Sequence, residues 1–144
     1  MNIKTAFAIR SILVDHAKEV AAKEGVTNAQ IVRAAIGFPY YTQDKAYAVG
    51  DICRDPETEQ PKKCAIAYDG AIQPEWTIKD GTLWYPYHGI NKYTAYPWAA
   101  PTGAHDIYKA GEWMTYTDGD IYKCIQDTNF SPEELSEAWE KQEI

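Results

Sequence analysis

Two periodicities divide the chain. Ile9, Ile12, Leu13, Ala17, Val20 and Ala21 recur at three- and four-residue spacing, which lines one face of an α-helix. This predicts a helix from about Ile3 to Lys23, with Gly25 placed to end it in a left-handed conformation. Thr27-Asn28-Ala29-Gln30 reads as a capping box, and Ile31, Val32 and Ile36 give a second, shorter helix its apolar residues. Gly37 and Pro39 stop it. A helical hairpin this short cannot bury its own stripe, so it must pack on the rest of the chain or on copies of itself.

From Phe38 the pattern changes to short β-type runs broken by Gly, Pro and Asp, and an internal repeat emerges. Ala46 to Cys53 aligns with Ile107 to Met114, and Lys63 to Ile66 aligns with Lys123 to Gln126. Each copy then reaches Pro and Trp: Pro74 and Trp76 in the first, Pro132 and Trp139 in the second. A period of about 60 residues indicates two related small modules. In the second, Asp118-Gly119 is a hairpin signal. Strand alternation puts Met114, Tyr116, Tyr122 and Cys124 on an inward face beneath Trp139, with Trp113 outward. Ser131-Pro132-Glu133-Glu134 reads as a helix-start signal, followed by a short turn of helix ending near Trp139. The expected class is α+β, mainly β. It comprises a helical anchoring or oligomerisation segment (1–37), a first β-module with an aromatic connection (38–100) and a second β-module (101–144).

Composition sharpens this picture. All aromatic residues but Phe7 lie between Phe38 and Trp139, so that region must be folded to bury its rings. Formal charge is +2 over residues 1–37, −2 over 38–100 and −7 over 101–144, so the acidity belongs to the second module. Nucleic acid, which demands Lys and Arg, is a poor fit. No apolar run is long enough to insert into a membrane, and the N-terminus lacks an export-signal pattern. Cys53, Cys64 and Cys124 lack metal-ligand spacing and read as small buried hydrophobes, the alternative being a Cys53–Cys64 disulfide across one hairpin.

Chemistry is sparse. His16 reads as a solvated helix residue, and His88 and His105 as turn or surface residues. No nucleophile elbow, HExxH or phosphate loop occurs, and Asp118, Asp120 and Asp127 suit turn geometry better than acid catalysis. No catalytic residue, metal or cofactor is expected.

Tyr108-x-x-Gly111-Glu112-x-Met114-x-Tyr116, with Gly119, Tyr122, Cys124, Pro132 and Trp139-Glu140, resembles the chitin-binding type of carbohydrate-binding module. Pro101-Thr102-Gly103-Ala104-His105-Asp106-x-Tyr108, followed by Asn129-x-Ser131-Pro132, resembles a repeat in structural proteins of tailed phages and prophages of Gram-positive hosts. The whole layout, including Lys79 to Trp84 and Tyr87-His88-Gly89, resembles the same family. The resemblance implies a non-enzymatic virion protein, a capsid decoration or a tail fibre or baseplate component, assembled in the bacterial cytoplasm. Its partners would be other virion proteins and copies of itself. The alternative it implies is an adhesin recognising host cell-surface polysaccharide. Where chitin-binding modules carry exposed aromatics, this sequence has Gln126 and Asp127, and Ala65 to Ala67. Trp113, Trp84, Tyr85, Tyr87 and Trp98 are the remaining candidates for a glycan or partner surface, and Ile9, Ile12, Leu13, Ala17 and Val20 for the anchoring face.

Overall fold

A computed structural model describes residues 2–143. Helix α1 (Ile3–Ala22) begins where Asn2 accepts the Thr5 N–H at 2.9 Å. Helix α2 (Asn28–Arg33) opens with the expected capping box. Thr27 Oγ1 accepts the Gln30 N–H at 3.2 Å, and Gln30 Oε1 accepts the Thr27 N–H at 2.8 Å. A 3-10 turn, Ala35–Gly37, continues from α2 and lies under α1. Gly37 permits this close approach, because a Cβ there would collide with the Leu13 carbonyl and the Ala17 side chain.

The two helices do not stand apart. Ala17, Val20, Ile31, Ala34 and Phe38 form a buried cluster that takes in Ile52 and Tyr87 from the β region. The helical part therefore shares a core with the first module.

That module holds β1 (Ala46–Tyr47) paired with β4 (Tyr68–Asp69). Beside it lies an antiparallel sheet of β2 (Ile52–Arg54), β3 (Pro61–Cys64) and β5 (Trp84–Pro86), with β3 central. The second module repeats the sheet with β6 (Trp113–Thr115), β7 (Ile121–Cys124) and β8 (Trp139–Lys141). The molecule is α+β with mostly strands.

The correspondence extends to single atoms. Gly50 and Gly111 have φ of +95° and +96°, and each donates its N–H to the carbonyl of the module's central-strand Cys, at 2.9 Å and 2.8 Å. The Cys64 and Cys124 thiols each donate to a carbonyl two residues on, at 3.2 Å and 3.0 Å. Three rings repeat as well. Tyr41 stacks on Tyr47 at 16° with Trp84 edge-on to both, and Trp98 stacks on Tyr108 at 14° with Trp139 edge-on to both.

This register corrects the sequence alignment. Cys64 pairs with Trp84 as Cys124 pairs with Trp139, so Trp84 is the first copy's counterpart of Trp139. Trp76 packs on the core from outside, tilted against Tyr68. The short turn of helix expected after Ser131 forms as a 3-10 segment, Ser136–Ala138, ending at Trp139. Ser131 and Glu134 exchange capping hydrogen bonds before it, at 3.2 Å and 3.1 Å. Trp139 then opens a strand.

Candidate functional site

The anchoring face expected on α1 is divided. Ala17 and Val20 are buried within the chain's own core, so they offer nothing to a partner. They are covered because α2 and its 3-10 turn provide a platform under the C-terminal half of α1. From Asn2 to Ile12 every position is exposed, including Ile3 at 73%, Phe7 at 64%, Ile9 at 41% and Ile12 at 66%. Leu13 is half-buried at the boundary. Between this half of the helix and the body runs a groove of about 780 Å³, lined by Ala6, Ile9, Leu13, Ile36, Phe38 and Tyr40.

The aromatic candidates separate in the same way. Trp84 has 0% exposure and its indole N–H donates to the Tyr68 hydroxyl at 2.9 Å, so it is a core residue and presents no surface to a ligand. Trp98 is half-buried and belongs to the ring stack of the second module. Trp113 is half-buried on the outward side of β6, and its backbone N–H donates to the Gly89 carbonyl at 2.9 Å, tying the connection to the second sheet. Tyr85 and Tyr87 are the two that meet in a cavity.

That cavity, about 330 Å³, lies between the modules. Lys63, Tyr85, Tyr87 and His88 form one side, and His105, Asp106, Lys109 and Glu112 the other. Tyr85 and His105 stack across it with centroids 3.8 Å apart. Thr102 Oγ1 lies 3.2 Å from His105 Nε2, and Thr102 reaches the Gly81 carbonyl of the first module at 3.4 Å.

His88 departs from the sequence expectation of a turn or surface residue. It is 4% exposed, its ring lies flat on Tyr108 at 3.8 Å, and its Nδ1 is 2.9 Å from Glu112 Oε1. Asn28 clamps its backbone from both sides, accepting the His88 N–H and donating to the His88 carbonyl, each at 2.8 Å. The His88 Nε2 is buried and has no hydrogen-bond partner among the described residues.

The two carboxylates in the cleft are already occupied. Asp106 accepts the Thr102 and Gly103 N–H groups and the Thr102 hydroxyl at 2.9–3.0 Å. Burial works to raise its pKa, but those donors prevail and hold it below the ordinary aspartate value. Glu112 accepts the Lys109 N–H at 2.8 Å as well as His88. Lys63 makes no ion pair among the described residues, and Lys109 only a long one to Asp127 at 3.9 Å. The four charged side chains that line the cleft, Lys63, Asp106, Lys109 and Glu112, sum to no formal charge. Among the described residues no three His, Cys, Asp or Glu side chains are gathered to hold a metal ion.

Asn28, His88 and His105 were not legible as parts of one site. Asn28 reads only as a helix-opening residue, and no spacing rule connects it to a position 60 residues on. Tyr93 was missed too. It is 83% exposed on a 3-10 turn, Lys92–Thr94, where Asn91 caps the Tyr93 and Thr94 N–H groups. No protein-family model and no curated protein matches this sequence.

Proposed function

We propose that the chain is a non-enzymatic structural protein of a tailed-phage virion. The N-terminal half of α1 docks it to other virion proteins or to copies of itself, and the two carbohydrate-binding-module-like units are displayed from that anchor. The observation that carries this reading is the apolar side of α1 continuing past its platform, with Ile9 and Ile12 exposed, while Ile3 and Phe7 are exposed further round the helix. A helical segment of about ten residues is marginal in water unless its apolar side is covered. Large exposed apolar side chains clustered on one element mark interaction surfaces. The sequence resemblance to phage structural proteins supports the same assignment, and the acidic second module suits an outward, solvated position.

The structure also refines the test. Removing residues 1–37 would take away Ala17, Val20, Ile31 and Ala34, on which Ile52 and Tyr87 of the first module pack. An Ile9→Asp/Ile12→Asp variant places charges on the docking face and leaves that cluster intact. In co-sedimentation with assembled particles, the wild-type chain is expected in the particle fraction and the variant in the supernatant, with unchanged circular dichroism. Equal incorporation of the variant would overturn the reading.

A further inference from the structure

We infer that a second copy of this chain docks head to tail on the groove beneath α1, through the acidic segment of its second module. This rests on the docking role given above to the N-terminal half of α1 and names its partner. The groove does not end at the helix. At Ile36, Tyr40 and Arg54 it continues into a hollow of about 620 Å³ that runs to Tyr93 and Pro97. Ile9, Ile36, Tyr40 and Tyr93 are exposed along this surface, Tyr93 at 83%. Tyrosine and arginine are among the residues most enriched at the energetic centres of protein interfaces.

Charge selects the occupant. Arg10, Lys18, Arg33 and Arg54 line this surface and Glu59 is the one acid among its lining residues, in a chain whose net charge is −7. Arg54 takes Glu59 at 3.1 Å. Arg10, Lys18 and Arg33 make no ion pair among the described residues.

The complementary surface lies on the same chain. Between Lys123 and Lys141 stand Asp127, Glu133, Glu134, Glu137 and Glu140, with no Lys or Arg. All five are exposed. The same stretch carries Ile125 and Phe130, exposed at 50% and 47%. Ile125 sits beside Glu137, because its N–H donates to the Ala138 carbonyl at 2.8 Å. Apolar side chains among acids thus match apolar and tyrosine side chains among cations. None of residues 124–140 lines the groove or the hollow, so the segment reaches this surface only from another molecule.

Two-fold pairing of α1 with α1 is the rival arrangement, and charge opposes it. Residues 3–12 contain Lys4 and Arg10 and no acid, so that pairing brings like charges together. A head-to-tail contact leaves one surface of each kind unused, so assembly proceeds past the dimer to a ring or a filament.

The test is sedimentation velocity of the full chain, alone and in mixtures. At about 20 mM sodium chloride the wild type should form species larger than a dimer as its concentration rises. Raising the salt to about 500 mM should weaken association at least about tenfold. Arg10→Glu/Arg33→Glu reverses the groove, and Glu133→Lys/Glu137→Lys reverses the segment. These four exposed side chains make no ion pair among the described residues, so both variants should keep the wild-type circular dichroism. Each alone should stay monomeric. An equimolar mixture should associate again, because each groove then meets a segment of opposite charge. A wild type that stays monomeric at low salt, or a mixture that does, overturns the inference. So does a segment variant that associates as the wild type does, the result α1–α1 pairing would give. Loss of the Ile9→Asp/Ile12→Asp variant from particles alongside a monomeric wild type overturns the head-to-tail partner and leaves the docking role of α1 standing.

Discussion

Asp55 carries more of the first module than any sequence pattern suggests. It has no exposed surface and accepts Lys62 Nζ at 3.2 Å, Lys79 Nζ at 2.6 Å and the Glu57 N–H at 2.9 Å. Burial opposes its ionisation, but Lys79, the Glu57 N–H and Lys62 outweigh it, and its pKa lies below the ordinary 3.8. The sign follows directly. The stabilisation is complete above pH values near 3.8 and is lost as pH falls through the lower native value. Asp55→Ala should cost about 3 kcal/mol at pH 7, because it leaves the nearly buried Lys62 without a counter-charge. The same substitution should flatten the acid limb of the stability curve, and urea melts at pH 7 and pH 3 measure both effects.

The cysteines behave as the sequence reading expects, since all three are buried and free. Burial pushes the thiols of Cys53 and Cys124 up to about 11. None should react with iodoacetamide at pH 8 in the native protein, and all three should react in denaturant. Single residues are also where sequence reading went furthest astray. Trp76 and Trp84 stand eight positions apart after one copy's Cys, and composition alone cannot say which one the strand register selects.

Among the elements, hairpins and caps were legible because their signals are local. The Thr27 capping box, the Asp118-Gly119 turn with Gly119 at φ +86°, and the inward set of Met114 and Cys124 all appear where short-range chemistry places them. The short turn of helix expected after Ser131 forms as the 3-10 segment Ser136–Ala138, preceded by the Ser131 cap. Leu135, Ala138 and Trp139 are drawn into the second module's core, and Trp139 pairs with Cys124. Strand pairing from Trp139 keeps that helical turn short, since so brief a helix has little cooperativity of its own.

The repeat supplies a sharper prediction at this scale. Gly50 and Gly111 occupy the same left-handed position, and an added Cβ would meet nothing within 4 Å at either. Backbone conformation alone should set the cost. Gly50→Ala and Gly111→Ala should each destabilise by about 1–2 kcal/mol, and by nearly equal amounts. Thermal melts of the two variants check this, and a large inequality would mean that the modules are less alike than their hydrogen bonds.

As a whole, the molecule is more continuous than three sequence segments imply. Asn28 reaches His88, Tyr87 joins the helical core, Trp113 is bonded to Gly89, and His105 stacks on Tyr85. Each of these contacts joins segments far apart in sequence, and nothing in spacing or composition announces them. The cleft was therefore legible only as two unexplained tyrosines, while its histidines and its free lysines needed the fold. The protruding half of α1 was half legible. Its apolar stripe is plain in the sequence, but where the platform beneath it ends is set by Gly37 and Phe38.

That boundary carries the central claim, and hydrogen exchange reads it directly. Amides of residues 3–12 in the free chain should exchange much faster than those of residues 17–22, which lie over the core. In assembled particles the same amides should become strongly protected, while β6 and β7 keep the rates of the free chain. Exchange at residues 3–12 as fast in the particle as in solution would show that this face stays uncovered and would contradict the account.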